Sequence, residues 1–343
     1  MSAPPAHTIS VIMPAFNAAE FLTRSLNPLL AMRDAGAIAE LIVVDDGSTD
    51  GTAQRAGEMG CSVLRAARNA GPAAARNLGA GTATGSLLWF IDADVIAHAG
   101  GPRHIVAAFA PEEVVAVFGS YDDSPSAKDW LSRYKNLLHR FHHQQAAPEA
   151  ETFWAGCGAV RADAFRAAGG FNAELYPQPS IEDIELGYRL RQLGRIVILP
   201  DLQGTHMKRW GIGNLLRTDI WARALPWSRL ILQRKNLPDV LNVSRMERLR
   251  AAVAGALAMS VIAVLFAPGL WPLSVVAAAL ALGLNHALFQ YFRRHGGPGF
   301  AIAAIAYHQV YYIYAAATFA WCMLEHRYHG NGNTPSQPRN GRP

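Results

Sequence analysis

Residues 87–94 of this 343-residue chain read Leu-Leu-Trp-Phe-Ile-Asp-Ala-Asp, an apolar run that ends in two acids. Its apolar run is too short for most helices and has no polar alternation, so it predicts an interior strand of a parallel sheet. In an open α/β sheet, ligands bind beyond the carboxyl ends of the strands, where Asp92 and Asp94 would lie. Two carboxylates at this spacing suit a hard divalent cation that also binds substrate phosphates. Taken alone, such a pair is more often two solvated acids in a strand-to-helix loop.

Short apolar runs alternate with helical segments through the N-terminal part of the chain. Gly156 and Gly158 lie close together, so the backbone there must turn or approach another group closely. The alternation predicts an α/β domain with a mostly parallel sheet flanked by helices. The predicted strands are residues 9–13, 41–44, 62–64, 87–91, 114–118 and 195–199, and the predicted helices are residues 18–32, 127–143 and 180–193, with others beginning near Gly51 and Gly71.

The C-terminal part of the chain is strongly apolar. Residues 251–292 contain no Asp, Glu, Lys or Arg, which argues against a soluble helical bundle. We therefore predict a helical transmembrane domain at residues 251–327, since each of its apolar stretches is near the ~20 residues that a bilayer core requires. Its helices are predicted at residues 251–267, 270–292 and 300–324, and residues 328–343 are predicted to form a disordered tail.

The segment between the two predicted domains, residues 211–250, is basic and contains tryptophan. Arginine and tryptophan mixed with leucine and isoleucine predict amphipathic helices that lie at an anionic membrane surface. Nucleic-acid binding is the competing explanation of the net charge of +5, but it fits poorly because the segment leads directly into apolar stretches. We therefore expect a lipid bilayer, and no nucleic acid, as a partner.

Arginines flank the apolar stretches and predict the membrane topology. By the positive-inside rule, Arg248, Arg250, Arg293 and Arg294 should face the cytoplasm. This places the first domain in the cytosol at the inner membrane of a multi-pass protein and, with three crossings, the C-terminus outside. Residues 1–8 have no basic-then-apolar leader, so we expect no signal peptide. The cysteines are few and far apart, which predicts neither a metal site nor a disulfide.

A set of short motifs occurs between residues 8 and 210 in an order and spacing that resemble the family 2 glycosyltransferases. The resemblance implies the nucleotide-diphospho-sugar transferase (GT-A) fold for a catalytic domain at residues 1–210. It also implies an inverting, metal-dependent transfer from a nucleotide-diphosphate sugar. The motifs are VIMPAFN (11–17), VVDDGSTDGT (43–52), NAGPAAARNLGA (69–80), FIDAD (90–94), AGCGAV (155–160), GGF (169–171) and SIEDIELGYRL (180–190).

The resemblance implies a nucleotide-sugar site at the ends of the first strands. Asp45 or Asp46 would accept hydrogen bonds from the base or ribose, although the same residues also suit a plain turn before a helix. Arg76 would face either the nucleotide or solvent. The residues assigned to the nucleotide sugar are Pro14, Ala15, Asn17, Asp45, Asp46, Arg76, Asp92, Gly156 and Arg209.

The resemblance also assigns the metal. Asp94 would ligate Mg²⁺ or Mn²⁺, and Asp92 would contact ribose or metal. The stretch His206-Met207-Lys208-Arg209-Trp210 departs from the Q-x-x-R-W pattern of ceramide glucosyltransferases and processive synthases, because histidine replaces the leading glutamine. Neutral imidazole is a reasonable ligand for Mn²⁺, so His206 is a candidate third ligand. The alternative is a basic stretch next to the membrane.

Catalysis is assigned to the acidic pair Glu182-Asp183. By resemblance, Asp183 is the general base on an acceptor hydroxyl, and Glu182 and Trp210 contact the acceptor. Alternatively, Ser180 to Asp183 only cap a helix. The leading hypothesis is a non-processive transferase that acts on a hydroxyl of a membrane lipid or lipid-linked saccharide. A polyprenyl-phosphate glycosyltransferase, a polysaccharide synthase and an inactive membrane scaffold are the alternatives. The sugar, the nucleotide, the choice of metal and the oligomeric state stay open.

Overall fold

The computed structural model describes residues 7–233 and 244–329. The chain divides into two compact units, Met1–Arg209 and Trp210–Pro343. From residue 330 onward, the predicted tail lies outside the described residues.

The first unit is an α/β domain built on one large sheet. The strands lie in the order β3-β2-β1-β4-β8-β6-β9-β5, and β7 pairs with β9. The strands are β1 Ile9–Ala15, β2 Glu40–Asp45, β3 Ser62–Arg65, β4 Leu87–Ile91, β5 Val95–Ala97, β6 Val114–Tyr121, β7 Glu149–Ala150, β8 Cys157–Arg161 and β9 Arg195–His206. The helices are α1 Ala19–Asp34, α2 Thr52–Glu58, α3 Pro72–Thr82, α4 Gly101–Ala108, α5 Trp130–Gln145, α6 Ala162–Ala167 and α7 Glu182–Leu190.

The sheet is mixed, which corrects the prediction of a mostly parallel sheet. Strands β3, β2, β1 and β4 are parallel, but β8 runs antiparallel to both of its neighbours, β4 and β6. Gly156 and Gly158, just before and within β8, predict either a turn or a close approach of the backbone. Glycine is needed there because a Cβ on Gly158 would lie 2.7 Å from the ring of Phe153. The close approach that the two glycines predict is real, but it occurs inside a buried central strand.

The strand that precedes the acidic pair is buried on both faces. Trp89, Phe90 and Ile91 have no exposed surface, and the ring of Phe90 packs 5.4 Å from Phe165 and 5.2 Å from Phe171. Each fully buried side chain of this size stabilises the fold by roughly 1.5–3 kcal/mol. This packing holds the carboxyl end of β4 in a rigid setting, which fixes where the acidic pair begins.

The second unit is entirely helical among its described residues. Helices α8 and α9, with a π-helical segment between them, occupy most of the predicted amphipathic stretch before residue 234. Helices α10 to α13 follow. Their bounds are α8 Ile212–Arg217, the π-helical segment Thr218–Ala224, α9 Leu225–Gln233, α10 Arg245–Phe266, a short 3-10 turn Pro268–Leu270, α11 Trp271–Leu284, α12 His286–Gly296 and α13 Pro298–His329.

Within residues 7–233 and 244–329, one helix is long and apolar enough to cross a membrane. This helix is α10, with a mean hydropathy of 2.1. The predicted second span is broken, because α11 and α12 meet at an angle of 69° and count together as at most one more. At the break, Asn285 donates from Nδ2 to the carbonyl of Ala281 at 2.9 Å, and Arg250 donates from Nε to the carbonyl of Leu284 at 3.0 Å. The prediction of three crossing helices is therefore not supported.

The predicted third span, within α13, contains polar side chains that hydrogen-bond to other parts of the second unit. Tyr312 donates to Glu247 at 2.8 Å and to Asn285 at 3.1 Å. Tyr314 donates to Asp219 at 2.9 Å. These hydrogen bonds link α13 to α10, to the break after α11 and to the π-helical segment. Polar side chains that serve such helix contacts make α13 less apolar than a simple membrane span.

Candidate active site at the carboxyl ends of the strands

The acidic pair lies in a tight turn directly after β4. The amide of Asp92 donates to the carbonyl of Gly156 at 3.3 Å, and the amide of Val95 donates to the carbonyl of Asp92 at 3.0 Å. The chain then continues as β5, in which Val95 pairs with His206 of β9. The pairing of β5 with β9 therefore brings a distant histidine beside the acids.

Asp94 and His206 form a two-ligand arrangement that fits a divalent cation. Nε2 of His206 lies 3.6 Å from Oδ2 of Asp94, which is too long for a direct hydrogen bond. Among the described residues, no cluster of three or more His, Cys, Asp or Glu side chains could enclose a metal. An oxygen-preferring cation commonly takes one or two carboxylates and completes its shell with water and substrate phosphates. The donor set therefore fits a cation shared with a diphosphate.

The two acids of the pair have opposite electrostatic settings. Burial raises the pKa of Asp92, and the charge of Asp94 adds to this effect, although Arg76 opposes it. Burial would also raise the pKa of Asp94, but His206 and Lys208 lower it below the ordinary value. Asp94 is thus the stronger candidate for a permanently ionised ligand.

Arg76 is neither directed to solvent nor free to face a nucleotide. The residue is 5% exposed. Its Nη2 donates to Oδ1 of Asp92 at 2.8 Å, and its Nη1 donates to Oε1 of Glu182 at 2.9 Å. Burial would lower the pKa of Arg76, but the charges of Asp92, Glu182 and Asp183 outweigh it and raise the pKa. Arg76 is therefore a buried cation that bridges the two acidic motifs.

The second acidic motif begins α7. Oε2 of Glu182 accepts from the amide of Ser180 at 2.9 Å, and Oδ1 of Asp183 accepts from the amide of Ile184 at 2.8 Å. The N-cap position is Ile181, which makes no side-chain cap. Glu182 and Asp183 thus accept backbone amides at the start of α7, which is part of the role that the capping interpretation predicts. The helix also starts later than predicted, at Glu182, so both acids occupy its first turn.

Three consecutive residues before β8 join the parts of this site. The amide of Ala155 donates to Oδ2 of Asp183 at 3.2 Å, and the carbonyl of Gly156 accepts from Asp92. A Cβ on Gly156 would lie 2.6 Å from the indole of Trp154, so a larger residue would displace the strand. Asp92, Asp183 and the start of strand β8 are thus held in one connected arrangement.

An aromatic cluster packs behind His206. The ring of Tyr121 stacks on His206 with centroids 4.3 Å apart and planes at 13°. Tyr121 also contacts His139 at 4.5 Å and Trp154 at 4.9 Å. Sequence reasoning missed these three residues, because they come from β6, α5 and the segment before β8 and share no local motif. Their stacking restricts the orientation of the imidazole beside Asp94.

Asp45 and Asp46, at the end of β2 and directly after it, organise the turns around the predicted nucleotide pocket. The oxygens of Asp46 accept from the amides of Ala70 and Gly71 at 2.9 and 2.8 Å. Oδ1 of Asp45 accepts from the amide of Ser48 at 3.1 Å. Burial raises the pKa of Asp46. At least part of the role of these acids is therefore the turn that the alternative interpretation predicts.

The remaining predicted residues occupy the end of β1 and the end of the first unit. Ala15 pairs with Asp45 and Pro14 with Val44 in the β1–β2 register. Asn17 has a φ of 48°, and its Oδ1 accepts from the amide of Thr49 at 2.9 Å. The side chain of Arg209 is 83% exposed and lies 3.5 Å from Asp129. Trp210 is the first residue of the second unit.

Comparison with curated proteins identifies the family. Residues 10–169 match the sequence profile of glycosyl transferase family 2. Pre-mycofactocin glycosyltransferase of Mycobacterium tuberculosis is 27% identical over 202 residues, which cover 56% of this chain and 41% of that protein. Validoxylamine A glucosyltransferase of Streptomyces hygroscopicus is 31% identical over 227 residues, which cover 54% of this chain and 52% of that protein. The chain thus spans about half or less of the length of these two relatives.

Comparison with solved structures agrees on the fold. The mannosyltransferase PcManGT from Pyrobaculum calidifontis, solved in complex with GDP-Man and Mn²⁺, superimposes with a TM-score of 0.56 at 18% identity. The superposition covers 92% of this chain and 87% of that chain. The motif order, the GT-A-like mixed sheet flanked by helices and the sequence profile lead to one conclusion. Residues 10–169 of the chain form a glycosyl transferase family 2 domain.

Proposed function

We propose that this glycosyltransferase moves a sugar, with inversion and without processivity, to a hydroxyl of a membrane lipid or lipid-linked saccharide. The observation that carries the proposal is the position of Asp183. The amide of Ala155 holds its carboxylate, and the next residue, Gly156, accepts from Asp92. A carboxylate base therefore lies in the same connected arrangement as the acids that would face the donor.

The donor would bind across the ends of β1, β2 and β4. Asp94 and His206 would hold Mg²⁺ or Mn²⁺, with Asp92 beside them. The cation, when bound, neutralises charge on the departing diphosphate. An imidazole ligand favours Mn²⁺ over Mg²⁺. Pro14, Ala15, Asn17, Asp45, Asp46, Gly156 and Arg209 are proposed to line the rest of the donor site.

Asp183 would remove the proton from the acceptor hydroxyl as its oxygen attacks the anomeric carbon. Direct displacement from the face opposite the leaving group inverts that carbon. The first turn of α7 favours negative charge, because unpaired amides and the helix dipole make this end positive. Glu182, next to Asp183 in the chain, is proposed to contact the acceptor. A phosphate acceptor would need no base, so this arrangement favours a hydroxyl.

The second unit supports a lipid partner through its exposed apolar surface. Leu265 is 77% exposed, Phe266 85% and Trp271 61%, and an apolar surface of this kind marks an interaction site. We infer inner-membrane attachment with the catalytic unit in the cytosol, since Arg250 and Arg294 flank the apolar stretch. A reporter inserted after Gly296 of the full chain should then report cytoplasm, and a periplasmic signal would contradict this topology.

The function can be tested by screening donors with natural acceptors. The purified full-length chain is incubated with labelled UDP-, GDP- or dTDP-sugars and extracted membrane lipids. Label that enters the lipid fraction with one donor would support the proposal, and an Asp94→Ala variant is the matched control. Label that appears only in water-soluble products would refute the lipid acceptor.

A further inference from the structure

One buried cation, Arg76, forms ion pairs with two of the four carboxylates of the site. Asp92, Asp94, Glu182 and Asp183 are all acidic, and Arg76 pairs with Asp92 and Glu182. We propose that Arg76 withholds Asp92 from the metal, so that the cation is held by Asp94 and His206. Arg76 then acts as a positioning residue. This inference rests on the metal site of the proposed function.

The guanidinium is held where it can bridge the two acids. It lies 5.4 Å over the ring of Phe171. The backbone of Phe171 is fixed by the neighbouring Asn77, which donates to its carbonyl at 2.8 Å and accepts from its amide at 2.8 Å. Both terminal nitrogens of Arg76 already donate to carboxylates. The arginine therefore has a single well-defined position and cannot readily release Asp92.

Solvent access alone would not keep a cation from Asp92. The side chain of Asp92 is 33% exposed, and that of Asp94 is 24% exposed. A cation that reaches Asp94 can thus also reach Asp92, and a pair of free carboxylates would hold it more tightly than one. What distinguishes the two acids is the charge-assisted hydrogen bond from Arg76 to Asp92 at 2.8 Å.

The same bridge couples the donor side of the site to the base. Glu182 is adjacent to Asp183 and is fixed at one oxygen by Arg76 and at the other by Ser180. One arginine on α3 therefore sets the position of the acid after β4 and of the first turn of α7. Asp92 is left available to the donor. The metal site with only two protein ligands is weaker than one that includes Asp92, so it depends on the diphosphate for tight binding.

The test measures metal binding without any donor. Mn²⁺ is titrated into the purified full-length chain, and free Mn²⁺ is followed by electron paramagnetic resonance. In Arg76→Met, the released carboxylate of Asp92 should join the metal and tighten binding by about tenfold. A purely structural arginine would leave the affinity unchanged or lower it, and either result would overturn the inference.

Two further variants separate this effect from misfolding. Arg76→Met leaves the buried Glu182 and the partly exposed Asp92 without a counter-charge. The double variant Arg76→Met/Glu182→Gln removes one of these charges and should also bind Mn²⁺ more tightly. The double variant Arg76→Met/Asp92→Asn should lose the gain, because the released ligand is absent. Retention of the gain without the Asp92 carboxylate would contradict the mechanism.

A matched control, Arg189, lies on α7. Arg189 pairs with Glu185 at 2.6 Å and donates to the carbonyls of Ala168 and Gly170, so Arg189→Met should lower thermal stability without changing Mn²⁺ affinity. Asp94→Asn tests the proposed function separately. If that variant binds Mn²⁺ like the wild type, the metal site itself is wrong. If it loses Mn²⁺ while Arg76→Met gains nothing, only the present inference fails.

Discussion

Replacing Asp183 with asparagine separates catalysis from structure. The carboxylate accepts from the amides of Ile184 and Ala155 at 2.8 and 3.2 Å. Asparagine has the same size and keeps one acceptor oxygen, so about one hydrogen bond is lost. The free energy of unfolding should fall by about 1 kcal/mol, which lowers Tm by roughly 2–4 °C in a domain of this size.

The effect on transfer should be much larger than the effect on stability. A positioned general base contributes about 10²–10⁴-fold to rate, which corresponds to roughly 3–5 kcal/mol of activation free energy. Because Asp183 would touch the acceptor rather than the donor, donor affinity should change little. The assay compares initial rates of labelled-sugar transfer with donor binding by calorimetry, on the same purified Asp183→Asn protein.

Two outcomes would refute this reasoning. Near-normal transfer would show that no base is required, and it would favour a phosphate acceptor of the polyprenyl-phosphate type. A fall in donor affinity equal to the fall in rate would place Asp183 in the donor site instead. Thermal unfolding of the variant is the control, since a loss far above 1 kcal/mol would point to misfolding.

Three other properties can be measured directly. EDTA should abolish transfer and Mn²⁺ or Mg²⁺ should restore it, while Asp94→Ala should cost several kcal/mol of transition-state stabilisation; full activity in EDTA would exclude the metal. Gly156→Ala should lower the free energy of unfolding by about 1–3 kcal/mol, because the new Cβ would lie 2.6 Å from the indole of Trp154. The control Gly57→Ala should not destabilise the protein, because no other atom lies within 4 Å of the new Cβ. Burial raises the pKa of Cys157 to about 12, so iodoacetamide near pH 8 should modify the half-buried Cys61 first. The rates of modification should rise with pH. Equal rates at the two thiols would contradict the burial of Cys157.

Local patterns in the sequence determined much of the fold and the identity of the acids. The apolar run before Asp92 predicts the buried strand β4, and Gly71-Pro72 predicts the start of α3, as the structure has them. The ordered motifs also predict the family, which the sequence profile confirms. These features depend on neighbouring residues alone, through side-chain burial and backbone preference, and are therefore legible in a single chain.

Strand boundaries and the sheet order depended on partners that are distant in sequence. The sequence predicts that the last strand ends at residue 199, before Pro200, but β9 continues to His206 because it pairs with β6, β7 and β5 along its length. Gly156 and Gly158 locally allow a turn, but residues 157–161 form the central strand β8 because β4 and β6 lie on either side. Hydrogen bonds from neighbouring strands outweigh local preference at such positions.

The roles of individual site residues were decided by the tertiary structure. The sequence contains Arg76, Asp92 and Glu182 but does not reveal that one guanidinium bridges two carboxylates. It contains His206 and Tyr121 but not their stacking behind the metal site. A charge acts through its distance to other charges and its exposure to water. Both quantities are set by which strands and helices pack together, so they exist only in the folded chain.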